Sequence, residues 1–161
     1  MNKKEIPEEF KIDHLFELAV WGNLDRFKDS ELILLKGHLY LETTMSIVLE
    51  RFEVKEIDNK SFYKKMKELE KLKFSDLKDW KIILSSLHYI NSLRNKLAHD
   101  FRYKSAAEDL SEWADKIRDN LEGTKYSNYT KRTKIVHAFS TLSNHILALS
   151  YHINKNKKAI S

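Results

Sequence analysis

Residues 76–97 read DLKDWKIILSSLHYINSLRNKL, and this stretch decides the fold. Trp80, Ile83, Leu87, Ile90, Arg94 and Leu97 recur at alternating spacings of three and four, which places them on one face of an α-helix. All but one are apolar, so the face is built for burial against other helices. The exception is Arg94. A guanidinium on an inward stripe needs a carboxylate, a set of carbonyls, or a cleft where its planar donors meet solvent and an anion, because a buried unpaired charge is expensive.

The same periodicity extends in both directions. A first helix is expected to begin at Pro7, whose fixed φ suits a first helical position, and to stop at Gly22. Asp29 or Ser30 can cap a second helix reaching about Phe52, with Leu34, His38, Leu41, Met45, Val48 and Phe52 on one stripe. A short helix around Ser61 to Leu72 carries Phe62, Met66 and Leu69 on one side and Lys64, Lys65, Lys67 and Lys71 largely on others. Ser105 and Glu108 match a capping box, opening a helix with Ala106, Leu110, Trp113, Ile117 and Leu121 on its apolar face and Gly123 as its stop. A last helix presents Ile135, Phe139, Leu142, Ile146, Leu149 and Ile153, before a tail expected to fray from about residue 155.

No segment of strand period competes with these. Three glycines and one proline in 161 residues leave little material for tight turns, and 42% hydrophobic residues suffice for a core. The expectation is one all-α domain over residues 1–161, an up-and-down bundle of five to six helices. Gly37 falls inside the second helix, where it costs about 1 kcal/mol against alanine. A close backbone approach, within the fold or across a dimer, would offset that cost.

The absence of cysteine excludes disulfides, thiolate zinc sites and cysteine nucleophiles. The N-terminal MNKKEIPEEF lacks a signal-peptide apolar core, and no run approaches the roughly 20 apolar residues of a membrane span. A cytoplasmic protein without membrane attachment is expected. A net charge of +5 and a pI near 9.2 fit a polyanionic partner, although much of the charge on such a lysine-rich chain is ordinary solvated surface.

The stripe residue Arg94 is followed by Asn95 and, five positions on, by His99. On one continuous helix, residues five apart are rotated by about 140° from a common face. The capping signal at Ser105 implies, however, that this helix ends between Ala98 and Phe101, so His99 sits at its end and can swing back toward Arg94. LRNKLAHDF, residues 93–101, resembles the Arg, four-to-six-residue, His signature of the HEPN superfamily, with Asn95 as the polar residue often found after the arginine. LHYINSLRNKLAH, residues 87–99, also looks like the helix that carries this motif in the mannitol-repressor-like branch.

The resemblance implies a compact helical domain of a superfamily rich in metal-independent endoribonucleases of toxin, antiviral and RNA-processing systems. Carried over, His99 acts as general base or acid at the RNA 2′-hydroxyl or leaving oxygen, a task suited to an imidazole near neutral pH. Arg94 holds the scissile phosphate and stabilises its developing charge, and Asn95 orients the arginine or binds substrate. Attack by the 2′-hydroxyl needs no metal and no cofactor, and yields a 2′,3′-cyclic phosphate and a 5′-hydroxyl. A homodimer with both motifs on one cleft is implied, and a second His99 would supply the opposite proton transfer. A cognate antitoxin or regulator is a further expected partner.

Beyond the motif, Lys96 and the run Phe101, Arg102, Tyr103, Lys104 interleave aromatics with cations, a combination suited to single-stranded RNA. The plainer reading makes Phe101 core and Arg102 and Lys104 solvated. For Arg94 and His99 the plainer reading is a carboxylate-paired arginine and a histidine capping helix carbonyls. His38, with Glu42 one turn away, reads as a satisfied core pair. His145 and His152 make no metal site without further ligands, and KRTK at 131–134 reads as solubilising. Two function classes remain: a HEPN-type ribonuclease, and a non-catalytic HEPN-like regulatory or interaction module. No helix-turn-helix signature supports sequence-specific DNA reading.

Overall fold

The computed structural model of the chain describes residues 8–123 and 128–152. Pro7, Ile153 and the tail lie outside the described residues. Among the described residues six helices follow one another: α1 (Glu8–Asp25), α2 (Ser30–Arg51), α3 (Phe62–Lys71), α4 (Trp80–His99), α5 (Ala106–Asn120) and α6 (Lys131–Ala148). Single 3-10 turns occupy Ile57–Asn59 and Leu149–His152, and no strand forms among the described residues. The protein is an all-α helical bundle.

The bundle is organised around α6, which packs against α1, α2 and α5. Every residue from Ile135 to Ser143 is buried. Periodicity treats Ser140, Thr141 and Ser143 as a polar face, but their small side chains pack, and the helix is enclosed on all sides there. At its centre the ring of Phe139 lies against Gly37 of α2, where a Cβ would collide with it. Trp113 of α5 meets the same ring at 4.6 Å, and its Nε1 donates to the Ser86 carbonyl of α4 at 3.2 Å. The close approach at Gly37 is therefore internal to the fold, and this glycine needs no dimer to explain it.

Asp29 caps α2 by accepting the Leu32 N–H at 2.8 Å, as one of the two expected caps. α2 is also long and apolar enough in composition to match a membrane span, which corrects the expectation that no segment approaches that length. Half of its apolar window is buried inside the bundle, including Ile33, Leu34, Leu41, Met45 and Val48, as fits the core helix of a folded domain.

Several expected helix ends are corrected. α1 runs through the exposed Gly22 to Asp25. Its last carbonyl, that of Asp25, is taken by Arg132 of α6, whose Nη1 donates to it at 2.7 Å, to the Asp25 carboxylate at 3.1 Å and to the Phe27 carbonyl beyond the helix at 3.3 Å. Lys131 pairs with Glu108 and Lys134 with Asp115, each at 2.9 Å. The KRTK run is thus the fastening of α6 to α1 and α5 rather than free solubilising charge. Ser105 makes no capping bond. Its hydroxyl donates to Asp109 at 3.2 Å, and Glu108 is engaged by Lys131 instead of reaching back. Gly123 lies beyond the end of α5 and against Thr141; none of the described glycines takes the positive φ that makes glycine a helix stop.

Candidate functional site

The apolar stripe of α4 is buried at Trp80, Ile83, Leu87 and Ile90, then opens at Arg94, which is half-buried. Here α4 faces the middle of α2 and the start of α3. His38, Glu42, Ser61, Phe62, Tyr63, Asn91, Arg94 and Asn95 line one open cavity of about 340 Å³, at the lower end of the range for ligand pockets. Asn91 precedes Arg94 by one helical turn, which puts both on this wall.

The polar groups of the pocket are coupled in a definite way. His38 Nε2 lies 3.2 Å from Asn91 Oδ1, and the imidazole stacks on Phe62 with ring centroids 4.0 Å apart. Because Asn91 Oδ1 only accepts, Nε2 carries the hydrogen and Nδ1 the lone pair. Burial holds the His38 pKa below its ordinary value and the Arg94 charge adds to that, against the raising effects of the Asn91 bond and Glu42. Glu42 does not pair with His38, as the sequence suggested; its carboxylate accepts from Lys65 Nζ at 3.1 Å. Lys65, which the sequence sets apart from the apolar side of its helix, is buried beside this carboxylate.

Arg94 has no carboxylate within ion-pair distance among the described residues. Its Nη1 donates to Asn95 Oδ1 at 3.4 Å, a long bond that leaves most of its donors directed elsewhere. Ser61 caps α3 by accepting the Lys64 N–H at 3.4 Å, so the positive end of that helix dipole also stands at the pocket wall. The local field favours an anion.

His99 is the last residue of α4, within the expected window, and it is exposed. It does not line the pocket of Arg94. The helix remains continuous through both residues, so their divergence follows from helical geometry. The structure therefore brings Arg94 and Asn95 together with His38 and Asn91, and leaves His99 on a second surface beside the α4–α5 connection. Lys96, Arg102 and Lys104 are exposed there. Phe101 is 92% exposed, which corrects its reading as core, with the Arg102 guanidinium 5.9 Å from the ring centre. Arg102 Nε also lies 3.5 Å from Asp100. Tyr103 is the packed aromatic of the pair: it is half-buried, its hydroxyl donates to Asp109 at 2.9 Å, and burial and that bond push its pKa up. Its ring is thereby less available for stacking than that of Phe101.

His38 and Asn91 were the site residues least visible in the sequence. Their signal was a histidine on an inward stripe and an amide one turn before Arg94, but only the packing of α2 on α4 joins them. His145 is engaged elsewhere, its Nε2 2.6 Å from the Glu122 carbonyl oxygen. No group of three or more histidines and carboxylates that could hold a metal ion occurs among the described residues. No protein-family model, curated protein or solved structure matches the chain.

Proposed function

We propose that this protein is a HEPN-type endoribonuclease that cleaves single-stranded RNA by attack of the 2′-hydroxyl on the adjacent phosphate. The observation that carries the reading is the state of Arg94: a guanidinium on the inward stripe of α4, opening into a pocket, with no carboxylate partner among the described residues. Arginine's planar fork matches phosphate oxygens two at a time. In this reading Arg94 and Asn95 hold the scissile phosphate, while His99 moves a proton at the 2′-hydroxyl or the leaving 5′-oxygen. Lys96, Arg102 and Lys104 track the flanking backbone, and the exposed Phe101 offers a stacking face. Because His99 is directed away from its own Arg94, the site is completed by a second copy of the chain in a homodimer. The setting is a cytoplasmic toxin or defence effector with a cognate antitoxin or regulator.

A second reading is favoured by the same separation of His99 from the pocket. In it the domain is a non-catalytic HEPN-like module whose pocket and basic connection bind RNA or a partner protein. The experiment that divides them is incubation of the purified protein with a broad set of single-stranded RNAs in excess EDTA, beside Arg94→Ala and His99→Ala variants. Cleavage to 2′,3′-cyclic phosphate ends by the wild type, abolished in both variants, supports the ribonuclease. An inactive wild type, or activity surviving both changes, discards it in favour of the module.

A further inference from the structure

The imidazole that shares a cavity with Arg94 is His38, and the hydrogen-bonding balance of that cavity is lopsided. Several of its acceptors already hold a donor: Glu42 Oε1 that of Lys65, Asn91 Oδ1 that of His38, Asn95 Oδ1 that of Arg94, and Ser61 Oγ the Lys64 N–H. The second Glu42 oxygen and the His38 Nδ1 lone pair are open, but more of the donors are. The Arg94 guanidinium beyond its one long bond, the amide hydrogens of Asn91 and Asn95, and the hydroxyl hydrogens of Ser61 and Tyr63 have no acceptor among the described residues. A guanidinium with open donors, flanked by further amide and hydroxyl donors, favours an anionic ligand made of acceptors, and the fork of Arg94 matches phosphoryl oxygens two at a time. Tyr63 stands half-exposed on the same wall, able to carry a ring beside the phosphate.

We infer that this pocket binds the phosphoryl group of a nucleotide, with Arg94, Asn91 and Asn95 donating to its oxygens and His38 taking up a proton as the dianion arrives. The inference rests on the reading of Arg94 as a phosphate ligand given above, and adds His38 and Asn91 to the site. The charges around His38 set the direction of the coupling. Glu42 on its own helix favours the imidazolium, and Arg94 on α4 opposes it. Lys65 of α3 moderates Glu42 through their ion pair, and the Phe62 ring covers the imidazole face. An anion seated on Arg94 cancels the opposing charge and adds its own attraction, so both changes raise the affinity of Nδ1 for a proton. By linkage, the anion binds more tightly as the pH falls through the titration of His38.

The test uses the full chain with two probes, uridine 3′-monophosphate and sulfate, the second because its charge stays constant across the range. Binding is followed by calorimetry between about pH 8 and 5.5, and the His38 ring by NMR, over the interval in which imidazoles titrate. Sulfate should bind more tightly at the acid end and shift His38 to a higher pKa. The nucleotide should bind at least about tenfold more tightly than sulfate, from added stacking. Arg94→Ala should abolish both effects, and His38→Gln should keep binding at alkaline pH while losing its pH dependence. His38 resonances that ignore both probes, a shift that survives Arg94→Ala, or equal affinity for the two probes each overturns the inference. Should His38→Gln fail to fold, the wild-type ring titration and Arg94→Ala decide alone. Nucleotide binding without RNA cleavage leaves this inference standing while removing the ribonuclease. Cleavage without pocket binding does the reverse.

Discussion

Gly37 of α2 lies directly against the ring of Phe139 of α6, with no room between them for a methyl group. Phe139 is fully buried and is held from another side by Trp113, so it cannot retreat to a free rotamer. Gly37→Ala is therefore expected to destabilise the fold. The gain in helix propensity of about 1 kcal/mol is outweighed by overpacking at the crossing of the two central helices, leaving a net loss of about 1–3 kcal/mol. Urea denaturation followed by circular dichroism measures this. A variant as stable as the wild type would show that the crossing relaxes at little cost.

Much of this architecture is legible in the sequence alone. Five stripes of apolar residues at helical spacing mark α2 to α6, because burial of one face imposes that period, and Asp29 caps α2 where a short polar side chain stands before an apolar run. What escaped the reading was contact between distant parts of the chain. Arg132 closes the end of α1 from 107 residues away, a role no local pattern signals. α6 looked one-sided because serine and threonine score as polar although they pack well in a crowded helix. In the site, Arg94 stood out because a charge broke an apolar stripe. The partner of His38 is not legible locally, because sequence proximity offers Glu42 and only the bundle offers Asn91, 53 residues on.

Two buried histidines, His38 and His137, give the stability a defined dependence on pH. Burial lowers the pKa of both His38 and His137 from the ordinary 6.5. Below that value the unfolded chain binds protons that the folded chain refuses, so stability falls as the pH drops through about 6.5 toward the folded values. The carboxylates of Glu68, Glu70 and Glu108, held below their ordinary 4.5 chiefly by hydrogen bonds from Lys71, Lys67 and Lys131, begin to weaken the fold only at more acid pH. Denaturation midpoints measured between about pH 7.5 and 5, in buffer free of phosphate and sulfate, should fall steadily across the histidine window. His38→Gln and His137→Gln should each flatten the slope. A flat profile in the wild type would contradict the account.

The ion pair between Lys65 and Glu42 supports the pocket from behind. The Lys65 side chain is 8% exposed and that of Glu42 25%, so the ammonium depends on its partner more than the carboxylate does. Glu42→Ala is expected to cost about 2–4 kcal/mol, because it leaves a buried ammonium without a counter-charge. Adding Lys65→Met should recover most of the loss by replacing the stranded charge with an apolar chain of similar length. A double variant no more stable than Glu42→Ala would mean that the pair contributes through packing rather than charge.

Phe101 and Tyr103, two residues apart on the α4–α5 connection, should separate stability from binding. Tyr103 donates its hydroxyl to Asp109 and packs against the core, so Tyr103→Phe should cost about 1 kcal/mol of stability, the worth of one hydrogen bond, and leave RNA affinity nearly unchanged. Phe101 is almost wholly exposed, so Phe101→Ala should change stability by less than about 0.5 kcal/mol. If the connection stacks on unpaired bases, as the proposed function requires, that variant should weaken binding of a single-stranded oligonucleotide by about 1–3 kcal/mol. Fluorescence anisotropy with a labelled RNA and urea melts on the same samples give both quantities. An affinity insensitive to Phe101→Ala would remove base stacking on this ring from the proposed RNA path.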